Sequence, residues 1–316
     1  IAVKIAGFTP TEADTLRKSI GTKDAELMTK VEGMFIDGCK KTGLVNDNDA
    51  KSIFEMIKSS NRYAFNRSHS ASYAELGIWA MWVKYHFPLH FFTSWLFYSP
   101  EKKKDMKEEV FQLVNNAKQF GIEVYPPQVS TLFNGDVGEF SLSLKGIHYG
   151  INNVKGIADS NSVKFINAIK ETQKLLKKDV EKFTWNEFLI LISDVTTKTV
   201  MNNLILVGFF GHFKEDRIKL LYDYNTWSEI NDREKVWFKK QNLSTPLPEL
   251  IKQYASVDKK NGGPSNKNRA AKILGLYDAL IKPPFLLKDN ISEIANNEKE
   301  LLNATITCTK RDAIDI

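Results

Sequence analysis

Residues 63–73 read YAFNRSHSASY, and a long apolar run, ELGIWAMWVKY, follows at residues 75–85. The polar part predicts an irregular segment. The apolar part predicts a helix from Ser72 to Tyr85, ending before Pro88 because the residue before a proline leaves the helical region. Charged residues and a proline interrupt the stretch Ile78 to Tyr98, which makes it a poor membrane span and predicts a buried helix pair. A chain built around this stretch is expected to be mainly α.

The sequence upstream carries the start signals of another helix. Thr9 can cap it, Pro10 suits its first turn, and Glu12 stands three residues after the cap. We expect this helix to stop at Gly21. Apolar residues at helical spacing then predict a further helix from Ala25 to about Lys41.

The pattern changes after an amphipathic helix predicted at residues 101–121. The sequence VYPP at residues 124–127 breaks helical structure, and residues 130–151 place glycines between alternating apolar residues. This combination predicts a β-hairpin. Short helices resume from Val154, and the basic, Gly- and Asn-rich residues 259–272 predict a flexible loop.

Composition narrows the class of protein. The 316 residues are enough for two or three domains, and a net charge of +6 favours a polyanionic partner without requiring one. Cys39 and Cys308 form no CxxC pair, so neither a disulfide framework nor a Cys-rich zinc site is expected, and a reducing compartment fits. The sequence shows no secretory signal. It begins with Ile1 instead of Met, so we expect it to be an excerpt of a longer chain.

The polar cluster ahead of the apolar helix suits anion binding. Arg67 supplies a fixed cation, Ser68 and Ser70 supply hydroxyl donors, and a helix start attracts anions. A cluster of helix-capping residues would look the same, so both interpretations stay open. The adjacent cations Arg17 and Lys18 point about 100° apart on their helix, which suits two oxygens of one triphosphate or two solvated charges equally.

The order of several sequence motifs along the chain decides between these interpretations. The first 160 residues resemble the fingers of the bacterial DNA polymerase III alpha subunit, a family C polymerase. The resembling pieces follow the family's order and spacing; they are IAVKIAGFTPTEADTLRKSIGTK, FIDGCKKTGL, YAFNRSHSASYA, WVKYHFPLHFFTSWL, IEVYPPQVS and YGINNVKGI.

The resemblance implies roles for the matching positions. Arg17 and Lys18 match a basic pair that holds the triphosphate of the incoming nucleotide, although the family commonly has two arginines. The nucleotide-binding residues implied next to the template are Asn66, Arg67, Ser68, His69 and Tyr73. The family's Asn-Lys-Ser-His motif has its lysine replaced by Arg67 here, which keeps the charge.

A second element resembles the hairpin of a helix-hairpin-helix motif. It lies at Val154 to Asp159, and Lys155, Gly156, Ile157 and Ala158 are its candidate DNA-binding residues. Small residues let backbone N–H groups approach a phosphate without reading the base sequence. Ala158 stands where a second glycine is usual. Residues 199–210 resemble the second half of the tandem motif, where Leu204, Ile205, Val207 and Phe209 are expected in the core.

Three other patterns are interpreted as structural. Asp47-Asn48-Asp49 is a D-x-D pattern, but it stands in a polar turn ahead of a helix, where Asp and Asn are preferred caps. His86 and His90 have the spacing of zinc ligands, but Pro88 separates them and no third ligand stands nearby. Gln128 to Phe133 has the outline of a sliding-clamp peptide and overlaps the predicted strand.

The sequence thus predicts a mainly α protein, with helical fingers (residues 1–123), a Pro-Pro turn and small β-hairpin insertion (124–151), tandem helix-hairpin-helix units (152–222) and a helical tail (223–316). The resemblance implies a cytoplasmic DNA polymerase of a bacterium or of a phage-infected host. Its Mg²⁺ would be held by aspartates outside this chain, and none of the residues here would be catalytic. Expected partners are template-primer DNA, deoxynucleoside triphosphates and the rest of the subunit; a sliding clamp stays open. The alternative is a non-catalytic DNA-binding or scaffold module derived from such a polymerase.

Overall fold

The structure is a computed structural model that describes residues 1–22, 24–60, 67–99, 106–129, 138–143 and 146–308. The described residues are mainly α-helical and divide into two compact units, residues 1–81 and 82–316. The helices are α1 (Ala2–Ile5), α2 (Pro10–Thr22), α3 (Ala25–Thr42), α4 (Asp47–Ser60), α5 (Arg67–His86), α6 (Pro88–Tyr98), α7 (Met106–Gln119), α8 (Asp159–Leu176), α9 (Trp185–Leu191), α10 (Lys198–Leu206), α11 (Arg217–Ser228), α12 (Asp232–Phe238), α13 (Leu247–Ala255), α14 (Lys267–Ile281) and α15 (Ile291–Leu302). The mainly α fold class is therefore confirmed.

The first unit packs α1 to α4 around a small apolar core. Phe35 and Phe54 are fully buried there, with ring centroids 5.4 Å apart. The predicted capping box of α2 is present, since Thr9 N–H donates to Glu12 and Glu12 N–H donates to Thr9 Oγ1. The expected stop at Gly21 is wrong: the helix runs to Thr22, whose hydroxyl donates to the Lys18 carbonyl.

Helix α5 differs from the prediction in its start and in its burial. It begins at Arg67 rather than Ser72, so Arg67, Ser68 and His69 form its first turn instead of a loop before it. The expected burial is also wrong for this helix, which has no buried residue, and Trp79 is 59% exposed. Apolar character alone indicates that a surface needs a partner, but it does not place that partner in the same chain. Helix α6 does bury Phe92 and Leu96.

A three-stranded sheet lies in the second unit. Its strands are β1 (Glu123–Tyr125), β2 (Ser141–Leu142) and β3 (Gly146–His148), in the order β1-β3-β2. Strands β2 and β3 are antiparallel, as in the predicted hairpin, whereas β1 adds to β3 in parallel. The prediction therefore found the hairpin and missed the third strand.

The second unit has a continuous apolar core. Large side chains from α8, α9, α11 and the segment after α10 meet in it, among them Phe165, Phe188, Phe209 and Trp227. Leu204, Ile205, Val207 and Phe209 are buried, which confirms their assignment to the core. Helix α14 begins inside the predicted loop 259–272, because Asn266 caps it by accepting the Arg269 N–H. No helix among the described residues is long and apolar enough to cross a membrane.

Candidate nucleotide and DNA contacts

Helix α2 presents the two adjacent cations on its exposed surface. Both pair with one acid of the same helix: Arg17 Nε lies 2.8 Å from Asp14 Oδ1, and Lys18 Nζ lies 3.2 Å from Asp14 Oδ2. Hydrogen bonds from Arg17 and Lys18 lower the pKa of the Asp14 carboxyl. The two cations are largely exposed and Asp14 is half-exposed, so the pairs are screened by solvent and exchangeable. A phosphate could therefore replace Asp14 as the partner of these cations.

The first turns of α5 carry the other candidate residues for the nucleotide. Arg67, Ser68, His69 and Tyr73 are all exposed there, and the rings of His69 and Tyr73 meet edge to face at 4.3 Å. Asn66 lies outside the described residues. The His69–Tyr73 contact fixes two side chains one helical turn apart on the same face.

No hydrogen bond or ion pair between described residues joins Arg17 or Lys18 to α5. Their described partner is Asp14 alone. A single nucleotide site formed by α2 and α5 therefore stays a prediction.

The candidate DNA hairpin is held from both sides by its own chain. Lys155 N–H donates to the Leu301 carbonyl (2.9 Å), and the Lys155 carbonyl accepts from Asn203 Nδ2 (2.8 Å). Gly156 adopts φ +83°, a left-handed conformation that glycine adopts at little cost. A side chain at this position would also meet Asn203 Nδ2 at 3.3 Å. These contacts fix the backbone immediately before α8.

The four candidate residues of the hairpin differ in what they can offer a ligand. Ile157 is buried and its N–H donates to the Val154 carbonyl, while Lys155 Nζ pairs with Glu300 at 3.0 Å. Gly156 and Ala158 are exposed, and their N–H groups have no acceptor in the part of the chain that the structure describes. The hairpin can therefore present two backbone donors at the start of an 18-residue helix, where the helix dipole favours an anion.

The second hairpin-like segment, after α10, is closed to a ligand. Gly208 has the same φ of +83°, but the Arg217 guanidinium lies against it, so that an added Cβ would come within 2.7 Å of Nη2. Arg217 donates to the Leu206 carbonyl and pairs with the fully buried Glu298 at 3.0 Å. This hairpin-like segment is a packing element.

The described residues offer no ligand set for a metal ion: no group of three or more His, Cys, Asp or Glu is placed to hold one. The Asp47-Asn48-Asp49 segment forms the first turn of α4. Asn46 accepts the Asp49 N–H there, and Asp47 lies 3.5 Å from Lys40. The predicted position ahead of the helix is therefore wrong: these residues lie within the first turn of α4, and Asn46 rather than Asp49 is the cap.

Sequence reasoning missed the residues that support these sites. Asp14 could have been found, since an acid three and four residues before two cations is an i,i+3 and i,i+4 partner. Asn203 and Leu301 could not, because they lie 48 and 146 residues from Lys155 and meet it only through the packing of α10 and α15. Part of the clamp-like peptide, residues 130–133, lies outside the described residues.

Comparison with known proteins gives a consistent result. Residues 1–43 match the family model of the bacterial DNA polymerase III alpha subunit finger domain. The DNA polymerase III subunit alpha of Aquifex aeolicus is 32% identical over 240 residues, covering 75% of this chain and 19% of the relative. The Escherichia coli K12 subunit is 32% identical over 226 residues, 70% of this chain and 18% of the relative. That of Buchnera aphidicola is 29% identical over 290 residues, 88% of this chain and 23% of the relative.

The matches extend well beyond the finger-domain model and reach across the hairpin and α8. The chain spans about a fifth of the length of these curated relatives. The ordered motifs, the mainly α fold and these matches agree, and the chain belongs to the family of bacterial DNA polymerase III alpha subunits.

Proposed function

We propose that this chain is part of a replicative DNA-directed DNA polymerase, in which it holds template-primer DNA and the incoming deoxynucleoside triphosphate. The observation that carries the proposal is the pair of exposed N–H donors, Gly156 and Ala158, at the start of α8. A polymerase must bind every base sequence, and backbone donors that contact phosphates do so without reading bases.

The hairpin is suited to this role because its geometry exists before DNA arrives. The Leu301 and Asn203 hydrogen bonds hold Lys155, and the left-handed Gly156 turns the chain into the first turn of α8. A phosphate oxygen would accept from the two free N–H groups, and the positive end of the helix dipole would add to the attraction. Ala158 in place of the usual glycine is compatible with this role, because the N–H is the functional group.

The nucleotide would be held by the cations of α2 together with the first turn of α5. Arg17 can bind two phosphate oxygens with its planar guanidinium, whereas Lys18 acts as a point charge. Binding would exchange the Asp14 carboxylate for the triphosphate as the partner of both cations. Arg67 would add a further cation, and His69 and Tyr73, whose rings meet edge to face, would lie beside the base or sugar.

Nucleotidyl transfer in this family implies Mg²⁺, which when bound would supply a Lewis acid for the primer hydroxyl and the pyrophosphate. We assign no metal ligand to this chain, because no described group of acids fits one. The part of the reaction assigned to this chain is binding and orientation of substrates.

The test of the proposal is binding of duplex DNA by the chain and its Gly156→Ala variant. Alanine is strained at φ +83° by about 1–2 kcal/mol, so the hairpin N–H groups should shift. Loss of one charge-assisted contact is expected to weaken binding about tenfold or more. Gly262→Ala is the matched control: this glycine has the same φ of +83° in the same unit, and no atom lies near its added Cβ.

The proposal predicts weaker DNA binding for Gly156→Ala and wild-type binding for Gly262→Ala. Equal effects of the two changes would mean that backbone strain, not a phosphate contact, is being measured. A chain that does not bind duplex DNA at any salt concentration would overturn the proposal.

The alternative function is a non-catalytic DNA-binding or scaffold module derived from a family C polymerase. It shares the hairpin, and differs in that the complete protein would lack the aspartates that hold Mg²⁺ in a polymerase. The sequence encoded upstream of Ile1 discriminates between the two: a D-x-D strand pair there supports the polymerase, and a start codon directly before Ile1 supports the module.

A further inference from the structure

An open groove lies at the other end of α8 from the hairpin. It has a volume of about 510 Å³ and is lined by Lys170, Gln173, Lys174, Lys177, Lys178, Asp179 and Lys182. We call this the lysine groove. Five lysines and one acid line it, so it is a strongly cationic surface in a chain whose net charge is only +6.

Two of the five lysines already have partners in the chain. Lys178 Nζ lies 2.6 Å from Glu187, a buried acid that also accepts the Thr184 N–H at the start of α9. Burial by itself would raise the pKa of Glu187, but the hydrogen bonds from Lys178 and Thr184 lower it, so the acid stays ionised. Lys182 pairs with Asp179 at 3.6 Å. These pairs hold the far wall of the groove in place.

Lys170, Lys174 and Lys177 are exposed and have no ion pair within the described ranges of the chain. Lys170 and Lys174 lie four residues apart on one face of α8. Lys177 follows directly after the helix, as its left-handed C-cap residue. Like charges at this spacing weaken a helix, so Lys170 and Lys174 repel each other in the free chain. An anionic partner would remove this repulsion.

The chemistry of the lining favours phosphates over a protein partner. No aromatic or aliphatic side chain lines the groove. Protein-binding sites obtain most of their affinity from buried apolar or aromatic anchors, whereas phosphate binding needs only cations at suitable spacing.

We propose that the lysine groove binds the phosphate backbone of duplex DNA as a second contact, separate from the hairpin; this inference rests on the proposed function of the hairpin. Helix α8 has 18 residues, so its two ends lie about 27 Å apart at 1.5 Å per residue. That distance corresponds to about eight base pairs of duplex at 3.4 Å each. A duplex longer than this is therefore long enough to reach from the hairpin to the groove along α8.

The experiment compares the full chain with the triple variant Lys170→Gln, Lys174→Gln, Lys177→Gln on a duplex of about 20 base pairs, a length well above the eight that α8 spans. The matched control is Lys239→Gln, Lys240→Gln, Lys260→Gln, which removes three exposed lysines of the same unit that lie outside the groove. Binding is measured over a range of salt concentrations. Each lost phosphate contact should reduce the slope of log affinity against log salt by roughly 0.9.

We expect the groove variant to lose about two to three in this slope and at least about tenfold in affinity, with the control triple at most slightly affected. Lysine acetylation of the unmodified chain gives a second readout that needs no variant. Bound duplex should protect Lys170, Lys174 and Lys177 from acetylation and leave Lys239, Lys240 and Lys260 reactive.

Each result has one meaning. If the groove variant keeps the wild-type slope while Gly156→Ala weakens binding, the groove inference is wrong and the proposed function stands. If the chain binds no duplex, both are wrong. If the groove variant keeps its affinity for DNA but loses affinity for polyglutamate, the partner is an acidic protein and the DNA proposal is overturned.

Discussion

Helices α5 and α8 have similar lengths, and each begins at a candidate contact for a phosphate. Helix α8 buries Phe165 and Ile169 in the core of its unit, so its hairpin is fixed by residues of this chain. Helix α5 is as apolar as a core helix, yet none of its side chains is buried. The proposed DNA contact is therefore held in place by described residues of this chain, among them Leu301 and Asn203, whereas the exposed α5 has no such packing to hold its proposed nucleotide contact.

The largest expected effect is on the free energy of unfolding, which should respond differently to substitutions on α8 and on α5. Phe165 is 1% exposed and packs edge to face against Phe188 and Phe209, each with ring centroids 5.8 Å away. Phe165→Ala should lower the free energy of unfolding by about 3–5 kcal/mol, through lost burial and a cavity. Trp79→Ala, on the exposed helix, should change it by no more than about 0.5 kcal/mol. Urea unfolding of both variants is the measurement, and a large cost for Trp79→Ala would show that α5 is packed in solution.

The next largest effect is expected on nucleotide binding by Arg17 and Arg67. Arg17→Ala combined with Arg67→Ala should weaken binding of a deoxynucleoside triphosphate to the chain on a primer-template. Each charge-assisted contact contributes about 1.5–3 kcal/mol, so a loss of at least about a hundredfold is expected for the pair. The control is Lys51→Ala with Arg233→Ala, two exposed cations elsewhere. Unchanged affinity in the Arg17 and Arg67 variant would refute the assignment of both residues.

A smaller effect should appear as pH dependence in the unit that contains α8. Burial lowers the pKa of His212 to about 4 from 6.5, and its two ring nitrogens have no hydrogen-bond partner in the described structure. The unfolded chain therefore binds a proton that the folded chain resists, so stability should fall as the pH drops from 6.5 towards 4. The size should be about 2 kcal/mol, reduced from the full value because the ring is partly exposed.

His212→Phe tests this assignment, because phenylalanine keeps the ring contact with Phe213 and cannot ionise. The variant should lose most of the pH dependence between pH 6.5 and 4.5 in urea unfolding. Burial also lowers the pKa of His148, so a smaller dependence should remain. An unchanged pH profile in the variant would contradict the role of His212.

Local signals predicted much of the fold. Thr9 and Glu12 gave the start of α2, and the apolar Leu204, Ile205, Val207 and Phe209 were assigned to the core correctly. Local rules failed where the weak preference of a single residue was outweighed by the stability of the surrounding helix. Gly21 stays helical because an exposed glycine costs only about 1 kcal/mol, and α5 begins at Arg67 instead of the predicted Ser72.

The sites were less predictable than the fold because they depend on contacts between distant residues. The hairpin was located by resemblance, but the sequence could not tell which of its N–H groups are free. That depends on Leu301 accepting from Lys155 and on Val154 accepting from Ile157. The second hairpin resembles the first in sequence and in the φ of its glycine, yet Arg217 and Glu298 close it.

Amide hydrogen exchange at the hairpin, with and without duplex DNA, tests directly whether the Gly156 and Ala158 N–H groups bind DNA phosphates. In the free chain, the N–H groups of Gly156 and Ala158 should exchange rapidly, whereas those of Lys155 and Ile157 should be protected by their acceptors. Added duplex should slow exchange at Gly156 and Ala158 and leave the two internal references unchanged. If the N–H groups of Gly156 and Ala158 still exchange at their free rates in saturating DNA, the proposed phosphate contact is wrong.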